Sequence, residues 1–354
     1  MRSESSHCWL VNLMIAIAAM LFSAGVQSNA SSLVQLLDSY RQADGSVVVY
    51  VGLKVDEIID IDQMAENFSI VGSLQMQWQQ NELAFIPKEG EETIRTFDWD
   101  EFIEYANNLQ VRIPRFIFFN QQGKRFSQYQ LVVLTASGQV YYGERFTVTL
   151  QAPYLNFSKF PFDTQKFKID FDLLSPHSVF HFEKLQNFSG LGDLLGLEEW
   201  EVTSFETSIS ESREVLGYLS TRFGFQIDTT RKTQYYTLRI LTPISLIILI
   251  SWVTFYLRDY VKRIDVAGGN LLIFIAFNFT ISRDLPRLSY LTFMDTILFV
   301  AFFITSLTII VNVMLRYMEV VGRLSLARRI DQYLIWAYPL LYLFGFAFSY
   351  WHFI

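Results

Sequence analysis

Between Val266 and Ser282 the chain carries no charged side chain, yet it includes Gly268, Gly269, Asn270, Asn278 and Thr280. Arg263 and Asp265 stand at one end of this run, and Arg283 and Asp284 at the other. Polar groups cost free energy in hydrocarbon, so a helix facing only lipid gains nothing from them. A helix lining a water-filled path does. At 100° per residue, Asp265, Gly269, Leu272, Ala276, Phe279 and Arg283 fall on one helical face. A carboxylate at the end of such a path attracts cations, and apolar residues further along can close it by dewetting. Lys262 and Arg263 stand near the same end, so the carboxylate has two basic neighbours. The residues alone leave a second reading open. A polar-tolerant helix buried in a bundle would pair its Asn side chains with neighbours and use Gly268 and Gly269 for close contact.

Such a face needs elements to hold it. After Arg231 come four stretches without Asp, Glu, Lys or Arg, at Ile240–Leu257, Val266–Ser282, Thr296–Leu315 and Gln332–Ile354. Each is about long enough to cross a bilayer as a helix. The first connection carries Arg258, Lys262 and Arg263, and the third carries Arg316, Arg323, Arg328 and Arg329. The second has only Arg283 and Arg287. Positive residues favour the cytoplasmic side, which puts both termini outside. About sixteen residues join the third and fourth stretches, too few for a cytoplasmic domain.

The preceding part has a different pattern. Phe68, Ile70, Leu74, Met76 and Trp78 alternate with polar or small residues, as do Phe167, Ile169, Phe171 and Leu173. Phe146, Val148 and Leu150 form a third set, and Phe223, Phe225 and Ile227 a fourth. A period of two predicts half-buried strands, and Ser137-Gly138 predicts a hairpin turn. Many short strands with turn signals predict an antiparallel sandwich. Short helices are expected at Ser32–Asp44 and Trp99–Asn107.

The first thirty residues read as a secretory signal, with Arg2, an apolar stretch from Trp9 to Phe22, and small residues at Ser28-Asn29-Ala30. The predicted domains are thus a signal at 1–30, an all-β immunoglobulin-like sandwich at 31–230 and a membrane domain at 231–354. Its four helices are placed at about 238–257, 264–282, 292–315 and 330–354. The lone cysteine, Cys8, lies in the signal, so a mature chain has no disulfide or thiolate chemistry. The 354 residues are 51% hydrophobic with a net charge of −7, a balance that argues against nucleic acid as a partner. No phosphate loop, dinucleotide fingerprint, nucleophile elbow or metal-ligand cluster occurs, so neither enzyme activity nor a cofactor is expected.

Phe160-Pro161-Phe162-Asp163 followed by a strand and four spans resembles the pentameric ligand-gated ion channels, the Cys-loop receptor superfamily. Gly52-Leu53 leading to Asp60 and Asp62, Trp78, Arg145-Phe146, Arg231, Pro243, Ser251-Trp252, Ile275–Asn278 and Leu285-Pro286 extend the resemblance from about residue 33 onward. In animal members a disulfide closes the FPFD loop. The corresponding positions here lie near Pro153 and Phe167, which places the chain with the prokaryotic members.

The resemblance implies a homopentamer in the cell inner membrane, with the β domain and C-terminus on the periplasmic side. It turns the face from Asp265 to Arg283 toward the channel axis, with a gate at Leu272–Phe279. The acidic residue common just before this helix in cationic relatives is missing, so selection of monovalent cations rests on the Asp265 carboxylate alone. It also implies a coupling cluster in which Arg231 meets Asp163 and one of Asp60 or Asp62. Phe160, Pro161 and Phe162 lie beside this cluster, and Pro286, Arg287 and Tyr290 abut it from below. A small-molecule agonist would bind beneath a hairpin at Ser208–Arg222, with Asn120, Asp172, Leu174, Tyr218 and Phe223 as ligand-binding residues. Aromatic faces and carboxylates there would suit a cationic amine. Protons are the competing stimulus, although the only histidines are His7, His177, His181 and His352, and the middle two read as structural rather than as a metal site. The rival is a non-conducting solute sensor signalling through a membrane partner. A transporter would show internal repeats, and none is visible.

Overall fold

The computed structural model describes residues 45–354 apart from 89–91, 194, 197–198, 214, 216 and 282–287. The expected signal at 1–30 and the expected helix Ser32–Asp44 lie outside the described residues. So do Arg283, Pro286 and Arg287.

Eleven strands are described: β1 Val47–Asp62, β2 Asn67–Gln79, β3 Ile94–Asp98, β4 Phe116–Phe118, β5 Gln121–Thr135, β6 Gln139–Gln151, β7 Thr164–Leu173, β8 Phe180–Lys184, β9 Gly190–Leu191, β10 Trp200–Ser212 and β11 Ser220–Arg231. One sheet runs β3-β5-β6-β2-β1-β8, with β9 also on β1, and the other runs β10-β11-β7-β4. The pairs are antiparallel except β1 with β8 and β9. The alternating residues close this immunoglobulin-like sandwich from both sides. Phe68, Ile70, Met76, Trp78, Phe146 and Leu150 of one sheet are buried against Phe167, Ile169, Phe171, Phe225 and Ile227 of the other. Each such side chain contributes roughly 1.5–3 kcal/mol by leaving water. At the β5–β6 hairpin Gly138 has φ +85°, and a Cβ there would meet the Gln80 carbonyl oxygen at 2.5 Å. Only glycine fits that turn.

Four long apolar helices follow, so this is a multi-pass membrane protein. The spans are Gln234–Tyr256, Tyr260–Ile281, Phe293–Val320 and Leu324–Phe353. The first contains a π-helical stretch, Thr237–Leu241, just before Pro243. Proline lacks an N–H and crowds the carbonyl four residues back, so the ladder widens there. All four helices begin before their charge-free windows, and the third also ends beyond its window. The second span begins at Tyr260 because the Asp259 carboxylate accepts the Val261 N–H at 2.9 Å and caps it. The third and fourth continue through their charged ends, leaving only residues 321–323 between them, with Gly322 at φ +82°. The third opens with a reciprocal cap, the Asp295 N–H donating to Thr292 Oγ1 at 3.1 Å and the Thr292 N–H to Asp295 Oδ2 at 3.0 Å. Absence of charge marks hydrocarbon depth, whereas helix length is set by caps. This is why the sequence windows fall short of the helices.

The sandwich and the spans share packing. Phe157 and Phe160 of the FPFD loop lie in one buried cluster with Tyr236, Ile240 and Met294.

Candidate functional site

The second span presents two unlike faces. Arg263, Ala267, Asn270, Phe274 and Ile281 are buried against the other helices. Asp265, Gly269, Leu272, Ala276 and Phe279 are exposed on the opposite side, Leu272 at 69% and Phe279 at 72%. A helix that buries one face in its own chain and exposes a stripe of carboxylate, glycine and apolar residues is built for a second surface. Asn270 does pair inside the chain, donating from Nδ2 to Ser251 Oγ at 3.0 Å. Asn278 lies on the exposed side. A Cβ at Gly268 or Gly269 would meet nothing within 4 Å, so neither glycine serves helix contact within the chain. Arg263 requires a correction. It is buried and points into the bundle, so of the two basic neighbours only Lys262 remains exposed near Asp265.

The junction is built around Arg231, which is 3% exposed at the end of β11. Its Nε donates to Asp163 Oδ1 at 2.8 Å and its Nη2 to Asp163 Oδ2 at 3.2 Å, a two-pronged pair that the planar guanidinium favours. Nη1 donates to Glu199 Oε2 at 3.4 Å and Tyr236 Oη at 3.2 Å, and Nη2 reaches Gln63 Oε1 at 3.3 Å. The guanidinium lies 4.1 Å from the Trp200 ring centroid and 4.9 Å from that of Phe160. Neither Asp60 nor Asp62 completes the cluster. Asp60 is exposed, and Asp62 Oδ1 accepts the Met64 and Ala65 N–H groups at 2.9 Å to cap its own turn. Gln63 and Glu199 take the expected aspartate's place.

The FPFD loop meets the spans directly. Phe160 contacts Tyr236 edge-on at 4.8 Å, Pro161 follows a cis bond, and Phe162 packs on Phe293 at 5.7 Å. The Phe157 N–H donates to Tyr290 Oη at 3.0 Å, and the Phe293 N–H to the Ser158 carbonyl at 2.8 Å. Tyr290 therefore abuts the loop from the membrane side. Pro286 and Arg287 lie outside the described residues.

Among the described residues of one subunit, those expected at the ligand site do not form an amine cage. Asp172 is fully buried, accepting from Arg222 Nε at 2.6 Å, Arg222 Nη2 at 2.8 Å and Ser212 Oγ at 3.1 Å. Its charge is spent internally, because register places Arg222 directly opposite it on β11. Phe223 is corrected from ligand side chain to core, since it is fully buried and stacked on Phe171 at 4.8 Å. Asn120 ties the two sheets: its Nδ2 donates to the Gln151 and Lys168 carbonyls at 3.1 and 2.7 Å, and its Oδ1 accepts the Asp170 N–H at 3.2 Å. Tyr218 Oη donates to the Leu174 carbonyl at 2.9 Å, so these two residues latch the hairpin to the turn after β7. Phe119, which sequence reading missed, lies under Arg222 with 4.0 Å between ring centroid and guanidinium. A cleft of about 500 Å³ beside Leu174 is lined by Asn107, Gln110, Arg112, Arg115 and Ser175. Asp172→Asn is expected to cost about 2–3 kcal/mol by stranding Arg222. That would appear as a lower thermal midpoint of the full-length protein. An unchanged midpoint with selective loss of amine responses would return Asp172 to the ligand.

His177 and His181 are held in the same region, their rings 5.2 Å apart. Ser46 Oγ donates to the His177 carbonyl at 2.7 Å and, having one proton, accepts from His181 Nδ1 at 2.7 Å. Burial first, then the neighbouring His177, lower the His181 pKa. The neutral ring therefore favours the fold above the ordinary histidine value, a contribution lost as pH falls through the lowered one. Among the described residues no group of three or more His, Cys, Asp or Glu could hold a metal.

The family model described as "Neurotransmitter-gated ion-channel ligand binding domain" matches residues 33–232. The chain is 25% identical to the proton-gated ion channel of Gloeobacter violaceus over 307 residues, covering 85% of this chain and 82% of that protein. It is 24% identical to pH-sensitive chloride channel 2 of Drosophila melanogaster, covering 69% of this chain and 48% of that one. The gamma-aminobutyric acid receptor subunit rho-2 of Bos taurus is 23% identical, with 79% and 61% covered. The chain thus spans about half to three-fifths of the length of these two animal relatives.

Proposed function

The chain belongs to the neurotransmitter-gated ion-channel family, the pentameric ligand-gated channels, and on that premise we propose that five copies enclose a cation pathway lined by the second span. Membership also sets the chain among channels rather than enzymes. The observation carrying the proposal is the exposed stripe Asp265, Gly269, Leu272, Ala276 and Phe279, set opposite a face buried in its own subunit. Five copies would form a carboxylate ring, a small-residue ring and apolar rings in succession. Arg283 would stand at the far end. The carboxylates draw cations in and the apolar rings gate by dewetting.

The stimulus is a small molecule or a proton acting on the β domain. Asp163, Arg231, Phe160, Phe162 and Tyr290 pass the resulting movement to the spans. The chloride-channel relative makes an anion pathway the competing outcome. Against it stand the exposed Asp265 and the burial of Arg263. The protein is placed in the cell inner membrane, with the β domain and C-terminus periplasmic, and it contacts membrane lipids.

Recording from the purified protein in liposomes tests this reading, with amines, carboxylates and acid applied in turn. Discrete cation currents support it, and silence or chloride currents overturn it. Leu272→Ser makes the first apolar ring after Gly269 easier to wet. It is expected to lower the half-activating stimulus by at least about tenfold, a shift of about 1.4 kcal/mol. An unchanged activation curve would move the gate elsewhere.

A further inference from the structure

We infer that Asp331, about two turns into the fourth span, determines the pore's charge preference without lining it, by holding Arg263 inside the bundle. The inference rests on the cation-pathway reading above. Arg263 Nη1 and Nη2 bind the two Asp331 oxygens, the second at 2.9 Å. Nε donates to the Leu257 carbonyl at 2.6 Å, and Nη2 also reaches the Phe255 carbonyl at 2.8 Å. The Arg263 side chain is 3% exposed and that of Asp331 15%. One guanidinium thus joins the start of the second span to the end of the first and to the fourth.

Arg263 is poorly placed by local rules. It lies in the first turns of a helix, where the dipole disfavours a cation, and only two residues from Asp265. Two features hold it in the bundle: the carbonyls at the end of the first span, where a cation is favoured, and the Asp331 carboxylate. The carbonyls carry only partial charge, so among the described residues Asp331 supplies the one full counter-charge bound to it. A buried guanidinium stripped of its carboxylate is strongly destabilised and moves toward water. Water is close at hand. The pair forms part of the wall of a cleft of about 470 Å³, also lined by Arg258, Tyr260, Glu319, Arg328 and Gln332. Arg258 and Arg328 would repel the released guanidinium and Glu319 is already paired with Arg316 at 2.5 Å. Released toward solvent, it would meet the carboxylates of Asp259, one turn back, and of Asp265, across the helix. Five released Arg263 side chains would place a positive ring beside the Asp265 ring.

The test compares full-length wild type, D331N, R263Q and R263Q/D331N in planar bilayers by reversal potential in a sodium chloride gradient. D331N is expected to lower the sodium-to-chloride permeability ratio about tenfold. R263Q alone and the double variant should stay within about twofold of wild type, because neither retains a cation to release. An unchanged ratio in D331N, or a double variant as low as D331N, overturns the inference. Should D331N pentamers not form, co-expression with wild type gives mixed channels whose ratio falls as the D331N fraction rises. A flat ratio there is equally fatal. A wild type that prefers chloride would defeat the cation reading, while the wild-type-to-D331N shift would still report on Asp331.

Discussion

Asp265→Asn channels are expected to lose most of their preference for cations while still opening. The substitution keeps size and hydrogen bonding and removes five charges from one ring. Two unit charges about 4 Å apart in water interact by about 1 kcal/mol. A ring of five, even screened over about 8 Å at physiological salt, therefore exceeds the about 1.4 kcal/mol that changes a permeability ratio tenfold. The measurement is the reversal potential in asymmetric sodium chloride, with expected movement toward the chloride equilibrium by at least about tenfold in ratio. The burial of Arg263 raises the stake, because Asp265 then faces one basic neighbour, Lys262, rather than two. An unmoved reversal potential would remove Asp265 as the filter and leave the stripe from Gly269 to Phe279 without a charge-selecting element.

Arg231→Ala is expected to disconnect stimulus from opening. Asp163, itself 1% exposed, would lose both guanidinium bonds, at a cost of about 3–5 kcal/mol. Glu199, Tyr236 and Gln63 would lose their shared partner in the same step. Surface labelling measures assembly, and macroscopic current against stimulus measures coupling. Since the single variant strands a buried carboxylate, Arg231→Ala with Asp163→Asn is the companion. It leaves no buried charge at the junction, so it should assemble yet open only weakly. Normal activation in the assembled double variant would reduce the cluster to a structural rivet.

The two halves of the molecule were legible to different degrees. Alternation marked β2, β6, β7 and β11 because a sandwich buries every second side chain, and Phe68, Phe146, Phe167 and Phe225 are all interior. Alternation also put Phe223 on the buried face with Phe225 and Ile227, and it was the resemblance that misled there, reading an aromatic near the hairpin as ligand surface although its register sends it into the core beside Phe171. Asp172 failed for a related reason. Its partner Arg222 is fifty residues away and meets it only through strand pairing. At the junction Arg231 and Asp163 could be paired on resemblance. Glu199, Gln63 and Trp200 could not, since no local pattern brings the β1–β2 turn and the start of β10 to one guanidinium.

What the sequence by itself determined was periodic: strands at period two, four apolar spans, and a helical face from Asp265 to Phe279. Periodicity is a property of one element, and every residue needed to read it lies within about twenty positions. The tertiary structure decided the pairings. It turned Arg263 inward onto Asp331, sixty-eight residues away, spent Asp172 on Arg222, and replaced the expected aspartate at Arg231 by Gln63 and Glu199. A charge acts according to what stands beside it, and neighbours distant in sequence are fixed only when the elements pack.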